Sequence, residues 1–128
     1  MKELLKRHGM KITPQRLELV RTLEELGEAH PSFNQVYKLV KAKHPSVSRS
    51  TVYNNLKLLA ELGVINAFNY RGETHYEVNP TPHINLIGSD GTIKDVKGVE
   101  IESHLKEILR LVEEKTGIKI KNLMVLAE

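Results

Sequence analysis

At Gly63 the hydrophobic pattern changes from a 3.6-residue to a 2-residue period, which confines the chain to a helical segment followed by strands. Residues 2–8 form a short amphipathic helix ended by Gly9. Thr13-Pro14 starts a second helix, because a threonine caps well and proline suits the first helical position. Leu17, Val20, Leu23 and Leu26 keep helical spacing up to Gly27. A third helix follows His30-Pro31, with Ser32 as cap and Phe33, Val36, Tyr37 and Val40 as its buried stripe. Pro45 and the serines after it break that helix, and a fourth is expected over 49–62. Alternating residues then predict strands over 64–70 and 73–78, with Arg71-Gly72 at the turn. A helical cluster closed by a two-stranded hairpin is the outline of a winged helix-turn-helix.

Pro80 and Pro82 mark a linker. Beyond it the pattern predicts strands at 84–87 and 92–96 around a Ser-Asp-Gly turn at 89–91, a helix over 100–115 and a last strand over 118–126. The fold class is therefore α+β: an N-terminal winged helix-turn-helix over 1–79, a hinge at 80–83 and a small β-β-α-β domain over 84–128. The second domain is too small to be stable alone. Leu86, Ile93, Ile101, Leu105, Ile108, Leu111 and Val112 give it apolar surface that calls for a partner, most simply a second copy.

Charge and cysteine usage narrow the chemistry. Residues 1–62 carry 11 Lys/Arg against 6 Asp/Glu, a net +5, whereas residues 63–128 carry 8 against 10, a net −2. The front half is thus the part suited to a polyanion. With no cysteine, disulfides, thiolate metal sites and thiol catalysis are excluded, so any metal site must use His, Asp, Glu or Asn. No apolar run approaches the roughly 18 residues of a bilayer span. The opening MKELLKRHG lacks the apolar core of a signal peptide, which predicts a cytoplasmic protein without a membrane partner. No nucleophile triad, Gly-rich phosphate loop or paired carboxylates can be argued, so the chain does not read as an enzyme.

The fourth helix is the most informative segment. Val52, Leu56, Leu59 and Leu62 fall on one face, and Ser50, Tyr53, Asn54, Lys57 and Glu61 on the other. A hydroxyl, a phenol, an amide and an ammonium near a helix start suit base edges and phosphates. Asn54 can pair with adenine and Tyr53 can pack on a thymine methyl, while Arg16, Arg49 and Lys57 are candidate phosphate contacts by their chemistry.

The segments GMKITPQRLELVRTLEE, HPSFNQVYKLVKAKHPSVSRSTVYNNLKLLAELGVI and GETHYEV resemble the DNA-binding domain of the ferric uptake regulator family of metal-responsive transcription factors. The match covers residues 9–78 in order and spacing; the remaining residues resemble the family's dimerisation domain in layout more than in motif. The resemblance implies a homodimeric repressor on a palindromic operator in double-stranded DNA, with the segment 50–57, Thr51 included, in the major groove. It carries Tyr53 and Asn54 onto the base-contacting pair, where arginine is commoner at the second position. It also makes Lys11 the basic residue that reaches the backbone or minor groove.

The same resemblance implies a divalent metal, Fe2+, Mn2+ or Zn2+, bound at the hinge. His30, Glu77, His83 and Asp95 match its ligands, and Asn85 stands where a second histidine is expected. The family's structural zinc, held by two cysteine pairs, is absent: Gly88-Ser89-Asp90 replaces the first pair. Of a further site in the dimerisation domain only Glu102 remains, beside Pro82, Ile84 and Leu123 at ligand positions. His75 is assigned to the opposite strand face from Glu77 and set aside as a co-ligand, and His8, His44 and His104 are read as surface histidines. Two alternatives stay open at this point: a regulator of the same fold that has lost metal sensing, and a winged helix used for protein–protein contact.

Overall fold

The structure is a computed structural model that describes residues 2–27, 29–78, 81–120 and 123–128. The chain divides into two compact units, Met1–Asn79 and Pro80–Glu128. Pro80, the first residue of the expected hinge, lies outside the described residues, as do Lys121 and Asn122 of the expected last strand.

The first unit runs α1 (Lys2–Arg7), α2 (Pro14–Leu26), α3 (Phe33–Lys43), α4 (Arg49–Glu61), β1 (Asn66–Tyr70) and β2 (Glu73–Glu77). Each of the three longer helices starts on a hydroxyl cap. Thr13 accepts from the Arg16 amide at 3.1 Å with Pro14 in the first turn. Ser32 and Gln35 form a reciprocal capping box, and Ser48 accepts from the Thr51 amide at 3.1 Å. Loss of one such cap costs about 1 kcal/mol. Buried side chains from all four helices and β2 make one core, with Val36, Leu56 and Leu59 almost fully enclosed. Truncating Leu56 to alanine there costs about 2–5 kcal/mol.

The α2 stripe is rotated from its expected position: Leu19, Val20 and Leu23 are buried, whereas Leu17 is only partly covered. Glu18 is also buried and reaches the Lys43 ammonium at 3.2 Å, so a charged side chain at an inward position is carried by an ion pair to α3. Val64 and Ile65, expected in the first strand, instead form the turn that leaves α4, with both amides directed to the Leu59 carbonyl.

β1 and β2 pair antiparallel from Asn66↔Glu77 to Tyr70↔Glu73. Arg71 and Gly72 at the tip have φ of 51° and 80°, the two left-handed residues that a tight hairpin turn requires. β2 is also pinned to the segment ahead of α3, through a Tyr76 amide bond to the Pro31 carbonyl (2.9 Å) and a Ser32↔His75 bridge. Tyr76 enters the core, where burial first and Tyr53 second push its phenol up to about 12, so it stays neutral.

The second unit contains β3 (His83–Ile87), β4 (Ile93–Val96), α5 (Val99–Thr116) and β5 (Met124–Ala127). The sheet order is β4-β3-β5, with β3 antiparallel to β4 and parallel to β5. The parallel pair follows from the crossover through α5. Leu105 is the buried anchor of α5, whereas Ile108, Leu111 and Val112 are about half exposed, as are Leu86 and Leu126 on the strands. A unit this small with that much open apolar surface has an incomplete core. Among the described residues no helix is long and apolar enough to cross a membrane.

Candidate functional site

On α4 the two faces separate as the spacing predicts: Val52, Leu56 and Leu59 are buried, and Ser50, Thr51, Tyr53, Asn54 and Lys57 are exposed. Tyr53 is 48% exposed, so its phenol is available to a partner. Lys11 is exposed on the segment ahead of α2. The hydroxyls near the helix start also serve locally, as Ser48 Oγ donates to Thr51 Oγ1 at 2.9 Å and lies 3.2 Å from Ser50 Oγ.

The two arginines assigned to phosphates from chemistry are engaged within the protein. Arg16 Nε donates to Asn55 Oδ1 at 2.8 Å, and its Nη1 donates to the Lys11 carbonyl at 2.9 Å. Arg16 therefore ties the segment carrying Lys11 to α4. Arg49 Nη2 donates to Asn34 Oδ1 at 2.7 Å, and its guanidinium lies over the rings of Phe33 and Tyr37. A cleft of about 210 Å³ opens beside these groups, lined by residues of α3 and α4 and by Gly72, Glu73 and Thr74 of the wing.

Each unit also contains a buried imidazole–carboxylate pair. In the first unit His30 Nε2 lies 3.0 Å from Glu77 Oε2, and the Glu77 carboxylate accepts from Asn66 Nδ2 at 3.3 Å. His30 has φ of 50°, an uncommon conformation for a residue with a side chain. It is held there by its neighbours: the His30 carbonyl accepts from His75 Nδ1 at 2.9 Å, and Phe68 stacks on His75 and meets the His30 ring edge-on. The assignment of His75 to the opposite face from Glu77 is corrected here. Residues two apart on a strand share a face, and it is Tyr76 between them that turns to the core. His75 is thus a supporting residue of this pair, legible from the strand period.

In the second unit His83 Nε2 lies 3.7 Å from Asp95 Oδ1, with both side chains buried. His83 Nδ1 donates to the Thr81 carbonyl at 2.7 Å, a bond that leaves the Nε2 lone pair on the Asp95 side. Asn85 is fully buried and directs its amide nitrogen to Met124 Sδ at 2.8 Å. Each pair by itself offers an imidazole nitrogen and carboxylate oxygens, donor chemistry of the kind that suits Fe2+, Mn2+ or Zn2+. Glu102 is bridged to Lys106 at 2.9 Å on an open helix face, and residues 88–92 form a turn in which Asp90 accepts from Thr92.

Comparison with known proteins places the chain in a family. Residues 7–126 match the profile of the Ferric uptake regulator family. The ferric uptake regulation protein homolog of Archaeoglobus fulgidus is 35% identical over 126 residues, covering 98% of this chain and 92% of that protein. The crystal structure of the Campylobacter jejuni peroxide stress regulator superposes with a TM-score of 0.70 at 32% identity, over 99% of this chain and 93% of that one. The Pseudomonas aeruginosa ferric uptake regulator with manganese gives 0.74 at 25% identity, over 99% and 96%. The chain belongs to the ferric uptake regulator family.

Proposed function

We propose that this member of the ferric uptake regulator family is a cytoplasmic, homodimeric repressor of transcription that reads a palindromic operator and is gated by a divalent metal ion. It is a regulator, not an enzyme, as its family membership indicates. The observation that carries the DNA reading is the split of α4, with an apolar stripe in the core and Ser50, Thr51, Tyr53, Asn54 and Lys57 presented outward. We assign residues 1–79 to DNA binding, 80–83 to the hinge and 84–128 to dimerisation. Tyr53 and Asn54 contact base edges, Lys57 neutralises phosphate, and Lys11 reaches the backbone or minor groove from the segment that Arg16 holds.

We assign the metal to His30, Glu77, His83 and Asp95. The support is the matched donor chemistry of the two buried pairs, and the manganese-containing Pseudomonas relative is of the same family. When bound, the ion would supply positive charge and coordination bonds to these four side chains, and DNA affinity would then depend on metal. His30 and Glu77 are prepositioned by the wing strand, while the Thr81 carbonyl fixes the His83 tautomer. Asn85 lowers affinity relative to a histidine, since its amide nitrogen is directed to Met124 and an amide oxygen is a weak donor for these ions.

A duplex enriched by the purified protein from a randomised library with Mn2+ tests both parts. Its affinity is expected to fall steeply when a chelator is added. Equal affinity with and without the chelator defeats the metal gate and leaves the DNA reading; failure to enrich any duplex defeats the DNA reading itself.

A further inference from the structure

Between α3 and α4 three aromatic rings and one guanidinium form a contiguous cluster. Phe33 and Tyr37, one helical turn apart on α3, lie with ring centroids 6.1 Å apart and planes within 11°. Arg49, the first residue of α4, places its Cζ 5.1 Å from the Phe33 ring and 4.8 Å from the Tyr37 ring. Its fork is fixed by the 2.7 Å bond to Asn34 Oδ1. Tyr53, one turn further along α4, meets the edge of Phe33 at 5.9 Å and 78°. An exposed tyrosine on a helix would otherwise sample several rotamers. Here the same ring that carries Arg49 also carries Tyr53.

Resting on the DNA reading above, we infer that Arg49 is a positioning residue for base recognition and not a phosphate counter-charge: through Phe33 it fixes the rotamer of Tyr53 on the reading helix. The two roles differ in a measurable way. A phosphate contact adds to the salt dependence of binding and acts on every sequence alike. A positioning contact acts only on the correct sequence and leaves the salt slope unchanged. Lysine preserves the charge but cannot reproduce a planar guanidinium stacked on two rings and forked to an amide.

The experiment measures affinity of wild type, Arg49→Lys, Arg49→Ala, Phe33→Leu and Phe33→Tyr at several salt concentrations. The probes are the duplex enriched by the wild-type protein with Mn2+ and a scrambled duplex of the same composition. Arg49→Lys, Arg49→Ala and Phe33→Leu are each expected to lose about tenfold on the enriched duplex and less than about twofold on the scrambled one, with wild-type salt slopes. Phe33→Tyr keeps the ring and is expected to retain wild-type discrimination. Thermal unfolding checks each variant, and the Phe33 pair carries the test if an Arg49 variant does not fold. The inference is overturned if Arg49→Lys binds like wild type while Arg49→Ala lowers the slope by about 0.9 on both duplexes, or if Phe33→Leu discriminates as well as Phe33→Tyr. A wild-type protein that enriches no duplex overturns the DNA reading and this inference with it.

Discussion

His30 Nε2 and Glu77 Oε2 lie 3.0 Å apart with almost no solvent access to either side chain. The pair joins the segment ahead of α3 to the last residue of β2, and His75 locks its geometry by bonding the His30 carbonyl. Glu77→Gln keeps the shape and one acceptor while removing the charge. We expect it to weaken Mn2+ binding by more than about tenfold, the lower end of what even indirect contacts to a metal contribute, with little loss of thermal stability. Titration calorimetry beside a melting curve checks both; unchanged affinity would remove Glu77 from the ligand set.

Asn85 offers the converse test. Histidine at this position restores an imidazole on β3, two residues from His83 and on the same strand face. Asn85→His is expected to raise Mn2+ affinity by about tenfold or more, at the cost of the contact to Met124. No gain in affinity would mean that position 85 lies outside the reach of the bound ion.

Much of this fold was legible because local chemistry and tertiary packing agree. Thr13, Ser32 and Ser48 cap the helices that the hydrophobic period outlines, and Arg71-Gly72 marks a turn that only left-handed residues close. Spacing did not reveal pairings across distance. Arg16 is a phosphate candidate by its chemistry, and nothing near it in sequence shows that Asn55, 39 residues away, takes its Nε. Glu18 is inward-facing only because Lys43 meets it, which periodicity of apolar residues cannot register. The supporting role of His75 is within reach of the strand period, since His75 and Glu77 are two residues apart on β2 and share a face.

On the exposed face of α4 the proposed roles differ, with Asn54 assigned to a base edge and Lys57 to a phosphate. Asn54→Ala is expected to cost about 1–3 kcal/mol on the enriched duplex and to relax the preference at one base pair, with the salt slope unchanged. Lys57→Ala is expected to weaken binding to all duplexes alike and lower the slope by about 1. Anisotropy titrations over a salt series separate the two, and a sequence-independent loss for Asn54→Ala would count against its place on a base edge.

Asp90 gives a pH signature of the second unit. The Thr92 hydroxyl, then the Thr92 amide, hold its carboxyl below the ordinary 3.8. A group depressed on folding contributes stability above its unfolded value, and that contribution is lost as pH falls through the folded value. Thr92→Val removes the hydroxyl donor but keeps the amide. Its melting temperature is expected to trail wild type at neutral pH and to converge with it as pH falls through the folded value of Asp90. A constant gap between the two across the acid range would mean that Asp90 is not the group being read.

Ile108, Leu111 and Val112 occupy neighbouring positions on α5 and are 46%, 39% and 38% exposed. A 49-residue unit with one buried anchor on that helix, Leu105, cannot enclose this row by itself. In a two-fold dimer each substitution is counted twice, so Leu111→Glu places two carboxylates in one apolar interface. The expected cost is about 4 kcal/mol or more, two losses of about 2 kcal/mol each. Sedimentation equilibrium is expected to give twice the 14.6 kDa chain mass for the wild type and the single-chain mass for Leu111→Glu. The variant is expected to lose operator affinity as well, because a single chain cannot occupy both half-sites. Its first unit has its own core and keeps its binding to a scrambled duplex. A Leu111→Glu protein that remains a dimer with full operator affinity would move the interface away from this face of α5.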